Sequence, residues 1–177
     1  FSELASYARA HGIVFNYGIS PGLDMDLGSD KDRTALKEKL KKMHALGVRS
    51  FTLLMDDIPR SRSADGALAR AQVGLANEVL AYLKTLDSTA ELFFVPTVYS
   101  RTYSHHKGRR PSRARYLEGL AALNSEIGIM WTGPGEVFSA EIGPGGAAEL
   151  KKLWGRPVLV WDNYPVNDVS LRRNIFM

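Results

Sequence analysis

The 177 residues include no cysteine. That excludes disulfides, a thiol nucleophile and any Cys-based zinc site. It leaves the compartment open, since many secreted bacterial enzymes also lack cysteine, and no signal peptide is visible. No apolar run approaches the roughly 18–20 residues that a membrane span needs. Neither GxGxxG nor GxxxxGK(S/T) occurs, so both familiar Gly-rich phosphate cradles are missing. Charge of one sign is in slight excess only: 23 Lys+Arg less 19 Asp+Glu leaves +4. Such a balance permits acidic partners without demanding them. The 45% hydrophobic content excludes disorder. At roughly 100–200 residues per domain, this is one domain's worth of chain.

What is present is an alternation. Strand-length apolar runs stand at Ile13–Ile19, Ser50–Met55, Leu92–Thr97, Ile127–Trp131 and Pro157–Trp161. Helical patterns separate them. Ser29-Asp30 reads as a helix start, with Leu36, Leu40 and Met43 at helical spacing and a stop at Gly47. A long amphipathic helix is expected from about Asp65, carrying Leu68, Val73, Ala76, Val79, Leu80 and Leu83. Ser112 reads as the cap of the next helix, with Tyr116, Leu120, Leu123 and Ile127. A short helix follows Pro144 and closes at Gly155, and a last helical stretch begins near Asn167.

The runs read as apolar throughout, as strands buried on both faces do. Parallel α/β is therefore the expected class. Every run ends in polar or Gly/Pro residues: Ser20-Pro21-Gly22, Asp56-Asp57, Thr97-Val98-Tyr99, Thr132-Gly133-Pro134 and Asp162-Asn163. Chemistry spread over all strand ends favours a (β/α)8 TIM barrel over an open sheet, which gathers its ligand at one switch point. A barrel needs eight strands and about 250 residues. With five β/α units, a leading helix tail from Glu3 to Arg9 and no initiator Met, residues 1–177 read as a partial barrel. The central strands are present, and the N- and C-terminal parts are expected to be absent.

Asp56-Asp57 is the most informative pair. Adjacent, partly desolvated carboxylates repel, so one should keep its proton to higher pH than the other. That supplies one acid and one anion. A surface turn, a helix cap for the segment after Pro59, or a Mg2+ site would use the same residues. Neighbours on a strand face opposite ways, so they share a pocket only where the strand ends. They are also too close for the usual glycosidase pair, roughly 5–9.5 Å apart on different elements. Acting on one sugar, they would need a nucleophile from the substrate.

Tyr17-Gly18-Ile19-Ser20-Pro21-Gly22-Leu23-Asp24 and Phe51-Thr52-Leu53-Leu54-Met55-Asp56-Asp57-Ile58 closely resemble glycoside hydrolase family 84. This is the β-N-acetylglucosaminidase and O-GlcNAcase family, with an older hyaluronidase label. The resemblance runs on through Ala71-Gln72-Val73, Asn77-Glu78, Pro96-Thr97-Val98-Tyr99, Trp131-Thr132-Gly133-Pro134 and Trp161-Asp162-Asn163 to Asn167-Asp168. It implies a retaining, substrate-assisted hydrolysis without metal or organic cofactor. Asp56 would polarise the 2-acetamido N–H, and Asp57 would serve as acid and then base. Tyr99 would steer the acetamido carbonyl, Asn163 would contact the acetamido group, and Asp168 would accept from the sugar O4 and O6. Trp161 would wall the acetyl methyl, with Thr132 lining the same pocket. Without the resemblance, Trp161 suits a core position, Tyr99 a loop anchor, and Asn163 and Asp168 helix caps.

Three departures matter. A backbone carbonyl and a Lys from the family's first two strands, and an Asn from a later one, have no counterpart here. Glu136 stands where better-known members carry an apolar residue. The segment alone is thus expected to bind sugar weakly and turn over poorly. The stretch from Arg101 to Arg115 holds six Lys and Arg with His105 and His106 and no acid. It reads as a solvated insertion rather than a polyanion site, and no RNA-binding signature accompanies it. The adjacent histidines lack metalloprotease spacing, so no metal site is read. The expected partner is an N-acetylglucosamine-bearing glycan or glycoprotein, with no nucleic acid and no membrane span. The oligomeric state is left open. Alternatives in other classes are a non-catalytic carbohydrate-binding or adhesion module on the same fold, and a Mg2+-dependent phosphotransfer enzyme.

Overall fold

Local signals place most of the elements. The Ser29 hydroxyl accepts from Asp32 N–H at 3.3 Å and opens a helix at Asp30–Ala45. Gly47, at φ +98°, takes the chain away from its end. The Asp65 carboxylate accepts from Ala67 and Leu68 N–H at 2.9 and 3.0 Å, capping the long helix Gly66–Leu86. A computed structural model describes residues 1–58, 64–100, 110–133 and 144–161, with backbone alone at 110–112 and 144–145. In chain order the described elements are α1 (Ser2–Ala10), β1 (Asn16–Ile19), α2 (Asp30–Ala45), β2 (Ser50–Leu54) and α3 (Gly66–Leu86). Then come β3 (Glu91–Val95), α4 (Arg110–Gly119), a 3-10 turn (Leu120–Ala122), β4 (Gly128–Trp131), α5 (Pro144–Trp154) and β5 (Val158–Val160).

The strands form one parallel sheet in the order β1-β2-β3-β4-β5. The order contains no reversal, so these five strands lack the switch point of a doubly wound sheet. Right-handed crossovers advancing in one direction put the helices on one face. Accordingly α2 contacts α3, and α3 contacts α4.

The expectation of strands apolar on both faces holds for one face only. Parallel register aligns Phe51 with Leu92, and Leu53 with Phe94 and so with Ile129; all five are at most 1% exposed. The opposite face mixes polar and apolar groups. There the Asn16 side chain donates to the Ser50 hydroxyl and accepts from the Thr52 hydroxyl, both at 2.7 Å. Strand β1 also begins later than expected: Ile13 and Val14 precede it and are 59% and 70% exposed. Its ladder to β2 starts only where Asn16 aligns with Ser50.

Ser112 does not cap α4, because the helix begins two residues earlier, at Arg110. Pro111 beside that start suits a first turn, where a missing N–H costs nothing. The Asn77-Glu78 pair turns out to be structural. Asn77 donates to the Ala122 carbonyl at 3.2 Å and accepts from Asn124 N–H at 2.8 Å. Glu78 accepts from Arg33 at 2.5 Å and pairs with Lys37. Arg156 gathers the Leu123, Asn124 and Ile127 carbonyls beyond the 3-10 turn. No described helix is long and apolar enough to cross a membrane.

Candidate active site

In a parallel sheet all strand ends reach one edge, so the segments after β1 to β5 stand side by side. Backbone bonds stitch those segments together. Met55 N–H donates to the Val95 carbonyl, Thr132 N–H to the Tyr99 carbonyl, and Trp161 N–H to the Trp131 carbonyl, each at 2.9 Å. The Thr132 hydroxyl also reaches the Tyr99 carbonyl at 3.3 Å. These bonds run from the end of β2 across to the end of β5.

Asp56 and Asp57 lie in a bend just past β2, which frees them from strand alternation. Asp56 is half-buried and Asp57 is exposed. Burial is the largest influence on Asp56 and pushes its carboxyl above the ordinary 3.8. The Asp57 charge adds to that rise, while hydrogen bonds from the Asp56 and Asp57 backbone N–H groups oppose it. Asp56 is thus a reluctant anion held by backbone donors. The helix that follows is capped by Asp65, so the pair is not its cap.

The loop after β1 supports this bend. A Cβ on Gly22 would lie 2.7 Å from Ile58 Cγ2 and 3.1 Å from the Asp57 carbonyl oxygen. Glycine there lets one strand-end loop rest directly on the next.

On the other side of the edge, Tyr99 is 7% exposed and its ring meets that of half-buried Trp161, centroids 5.7 Å apart. Thr132 is buried beneath them. The structure therefore brings Tyr99, Thr132 and Trp161 together. It sets Asp56 and Asp57 on the same sheet edge, past the end of β2 and next to the end of β3 that leads to Tyr99. Asn163, Asp168, Glu136, the helical stretch near Asn167 and the basic run from Arg101 to Arg109 lie outside the described residues. Among the described residues, no three His, Asp or Glu side chains gather as metal ligands would. A cleft of about 400 Å³ between the end of β1 and α2, lined by Ser20, Asp24, Asp32 and Lys39, is bordered by neither carboxylate.

Sequence reasoning missed the layer beneath the carboxylates. Gln72, Thr97 and Tyr116 form a buried hydrogen-bonded set under the Met55 carbonyl. A buried Gln on an apolar helix face was the available signal.

The sequence model of the beta-N-acetylglucosaminidase family matches residues 1–177. The chain is 36% identical over 176 residues to the Protein O-GlcNAcase of Rattus norvegicus and to that of Mus musculus, covering 96% of this chain. It spans 18% of the length of each. A mutant form of the Thermobaculum terrenum O-GlcNAc hydrolase superposes with a TM-score of 0.81 at 33% identity. That alignment covers 95% of this chain and 36% of the solved one.

Proposed function

The chain belongs to the beta-N-acetylglucosaminidase family, and from that membership we propose that it forms the central strands of a (β/α)8 catalytic barrel. The barrel would hydrolyse terminal β-linked N-acetylglucosamine with retention of configuration. The consecutive parallel order supports the barrel, as does the contrast between a helix-covered apolar face and a mixed opposite face. The names of the relatives point to O-linked N-acetylglucosamine as the substrate class.

One observation carries the chemistry: two neighbouring carboxylates share a bend at a strand end, and one of them is held partly out of water. Neighbours in sequence cannot flank a sugar as acid and nucleophile. The nucleophile then comes from the substrate. Asp56 accepts the 2-acetamido N–H, and the acetamide oxygen attacks the anomeric carbon as the bond to the leaving oxygen breaks. Asp57 delivers its proton to that oxygen. The amide proton passes to Asp56 as the oxazoline closes and returns to the nitrogen as water opens the ring, while the proton of that water goes to Asp57. Asp56 must be anionic to orient the amide, and the bound N–H supplies the donor that its burial withholds. Trp161 and Tyr99 offer an aromatic wall for the acetyl group, where apolar area and a phenol serve together. Asn163 and Asp168 complete this reading as contacts to the acetamido group and to O4 and O6.

The test is turnover of a chromogenic β-N-acetylglucosaminide by the full-length protein, with and without chelator. Chelator-resistant turnover that is lost in Asp56→Asn supports the reading. A folded full-length protein inactive on several such glycosides would leave a carbohydrate-binding module. Activity abolished by chelator would point to Mg2+ chemistry at the pair.

A further inference from the structure

The ladder between β2 and β3 departs from regular parallel pairing just below the carboxylates. Met55 N–H donates to the Val95 carbonyl at 2.9 Å, as the pattern requires. The same pattern would bring Thr97 N–H back to the Met55 carbonyl. Instead Thr97 N–H donates to the Tyr116 hydroxyl at 2.9 Å, and the Thr97 hydroxyl donates to the Met55 carbonyl at 2.6 Å. Tyr116 donates onward to Gln72 Oε1 at 2.5 Å, and Gln72 Nε2 donates back to the Thr97 hydroxyl at 2.9 Å. The ring of bonds is closed and directional, ending on one carbonyl. Gln72 and Tyr116 are 0% exposed and Thr97 is 2% exposed, so no water competes for these groups.

The Met55 carbonyl and the Asp56 N–H belong to one planar peptide. Whatever holds the carbonyl therefore sets where that N–H points and where Asp56 leaves the backbone. The N–H in turn is one of the donors to the Asp56 carboxylate.

We propose that Gln72, Thr97 and Tyr116 are positioning residues: through the Met55–Asp56 peptide they aim Asp56 at the substrate amide without touching substrate. The inference rests on the role proposed above for Asp56. Burial of the Tyr116 phenol pushes its pKa up, so it stays a neutral donor across the working range. A network serving the fold alone would affect stability and leave the chemical step of surviving protein unchanged.

The experiment compares Thr97→Val, Thr97→Ser and Tyr116→Phe in the full-length protein on an aryl β-N-acetylglucosaminide. Thr97→Val keeps the shape and removes the hydroxyl, whereas Thr97→Ser keeps the hydroxyl. In Thr97→Val and Tyr116→Phe, kcat is expected to fall roughly 10- to 100-fold with KM little changed, as a small misplacement produces. Thr97→Ser should stay close to the parent. The acid limb of kcat/KM should move to higher pH in Thr97→Val, because a mis-aimed N–H makes Asp56 harder to ionise.

A second readout needs no turnover. The Asp56 carboxyl carbon is titrated by NMR and assigned by its loss in Asp56→Asn. It should shift in Thr97→Val and not in Thr97→Ser. A folded Thr97→Val with parental kcat and parental titration overturns the proposal, and so does unfolding of all three variants. A parent without turnover removes the catalytic reading instead, and the titration then decides whether the network governs Asp56.

Discussion

The rings of Tyr99 and Trp161 meet with centroids 5.7 Å apart and planes tilted by 53°. Tyr99 is anchored from below, since its carbonyl accepts both the N–H and the hydroxyl of Thr132. Trp161 is held by its own N–H on the Trp131 carbonyl. The segments after β3 and β5, with the end of β4 between them, thus present one aromatic surface. Trp161→Ala should lower kcat/KM for an aryl β-N-acetylglucosaminide by about tenfold or more, since an aromatic contact plus its apolar area is lost. Trp161→Phe should recover most of it. Steady-state kinetics on the full-length protein check this, and an unchanged Trp161→Ala would remove the indole from the pocket.

Asp56→Asn should stabilise the protein while abolishing turnover. Burial raises the Asp56 carboxyl above 3.8, so between that value and its folded-state pKa the native protein holds a proton that the unfolded chain has lost. Stability therefore falls as pH rises through this window, and the cost is complete above it. Removing the charge lifts that cost. The transition of this domain should rise at pH 7, with the difference shrinking toward acid pH. Calorimetry at both ends of the range decides it, and a lower Tm at pH 7 would contradict the burial argument.

Asp57→Asn should move the acid limb of kcat/KM to lower pH. Asp57 contributes to the rise at Asp56 through its charge, so its neutral analogue makes Asp56 easier to ionise. The measurement needs an aryl glycoside whose leaving group departs without a proton, because Asp57 is also the proposed acid. On a poor leaving group the same variant should lose roughly 10²- to 10⁴-fold in rate. An acid limb that stays put or moves up would break the link between the two carboxylates.

Gly22→Ala should damage the site more than the fold. Its Cβ would sit 2.7 Å from Ile58 Cγ2 and 3.1 Å from the Asp57 carbonyl, closer than packed atoms tolerate. Overpacking of this kind costs about 1–3 kcal/mol, and relief would come by shifting the bend that carries both carboxylates. Denaturant melts and kinetics on one preparation separate the two effects. Parental kcat in the alanine variant would show that the bend absorbs the methyl group without moving its carboxylates.

Some of this was written in the chain itself. Ser29, Asp65, Gly47 and Gly155 mark helix ends because capping and left-handed turns are decided within a few residues. The helical stripe of α3 was readable for the same reason, and Asp56-Asp57 stood out as charges ending an apolar run. Where local signals compete, the reading slipped. Ser112 resembles a cap, yet helix α4 starts at Arg110, ahead of it. Ile13 and Val14 have strand character but precede the ladder to β2 and remain exposed.

Sequence alone determined the alternating elements, the parallel α/β class and the identity of the carboxylate pair, since periodicity and caps are short-range properties. Tertiary structure decided the consecutive strand order and the difference between the sheet's two faces. It also decided how far Asp56 resists ionisation, and the ring that joins Met55 to Thr97 across 42 positions and Tyr116 to Gln72 across 44. Burial and hydrogen bonding depend on which groups meet in space, and no window along the chain contains both partners.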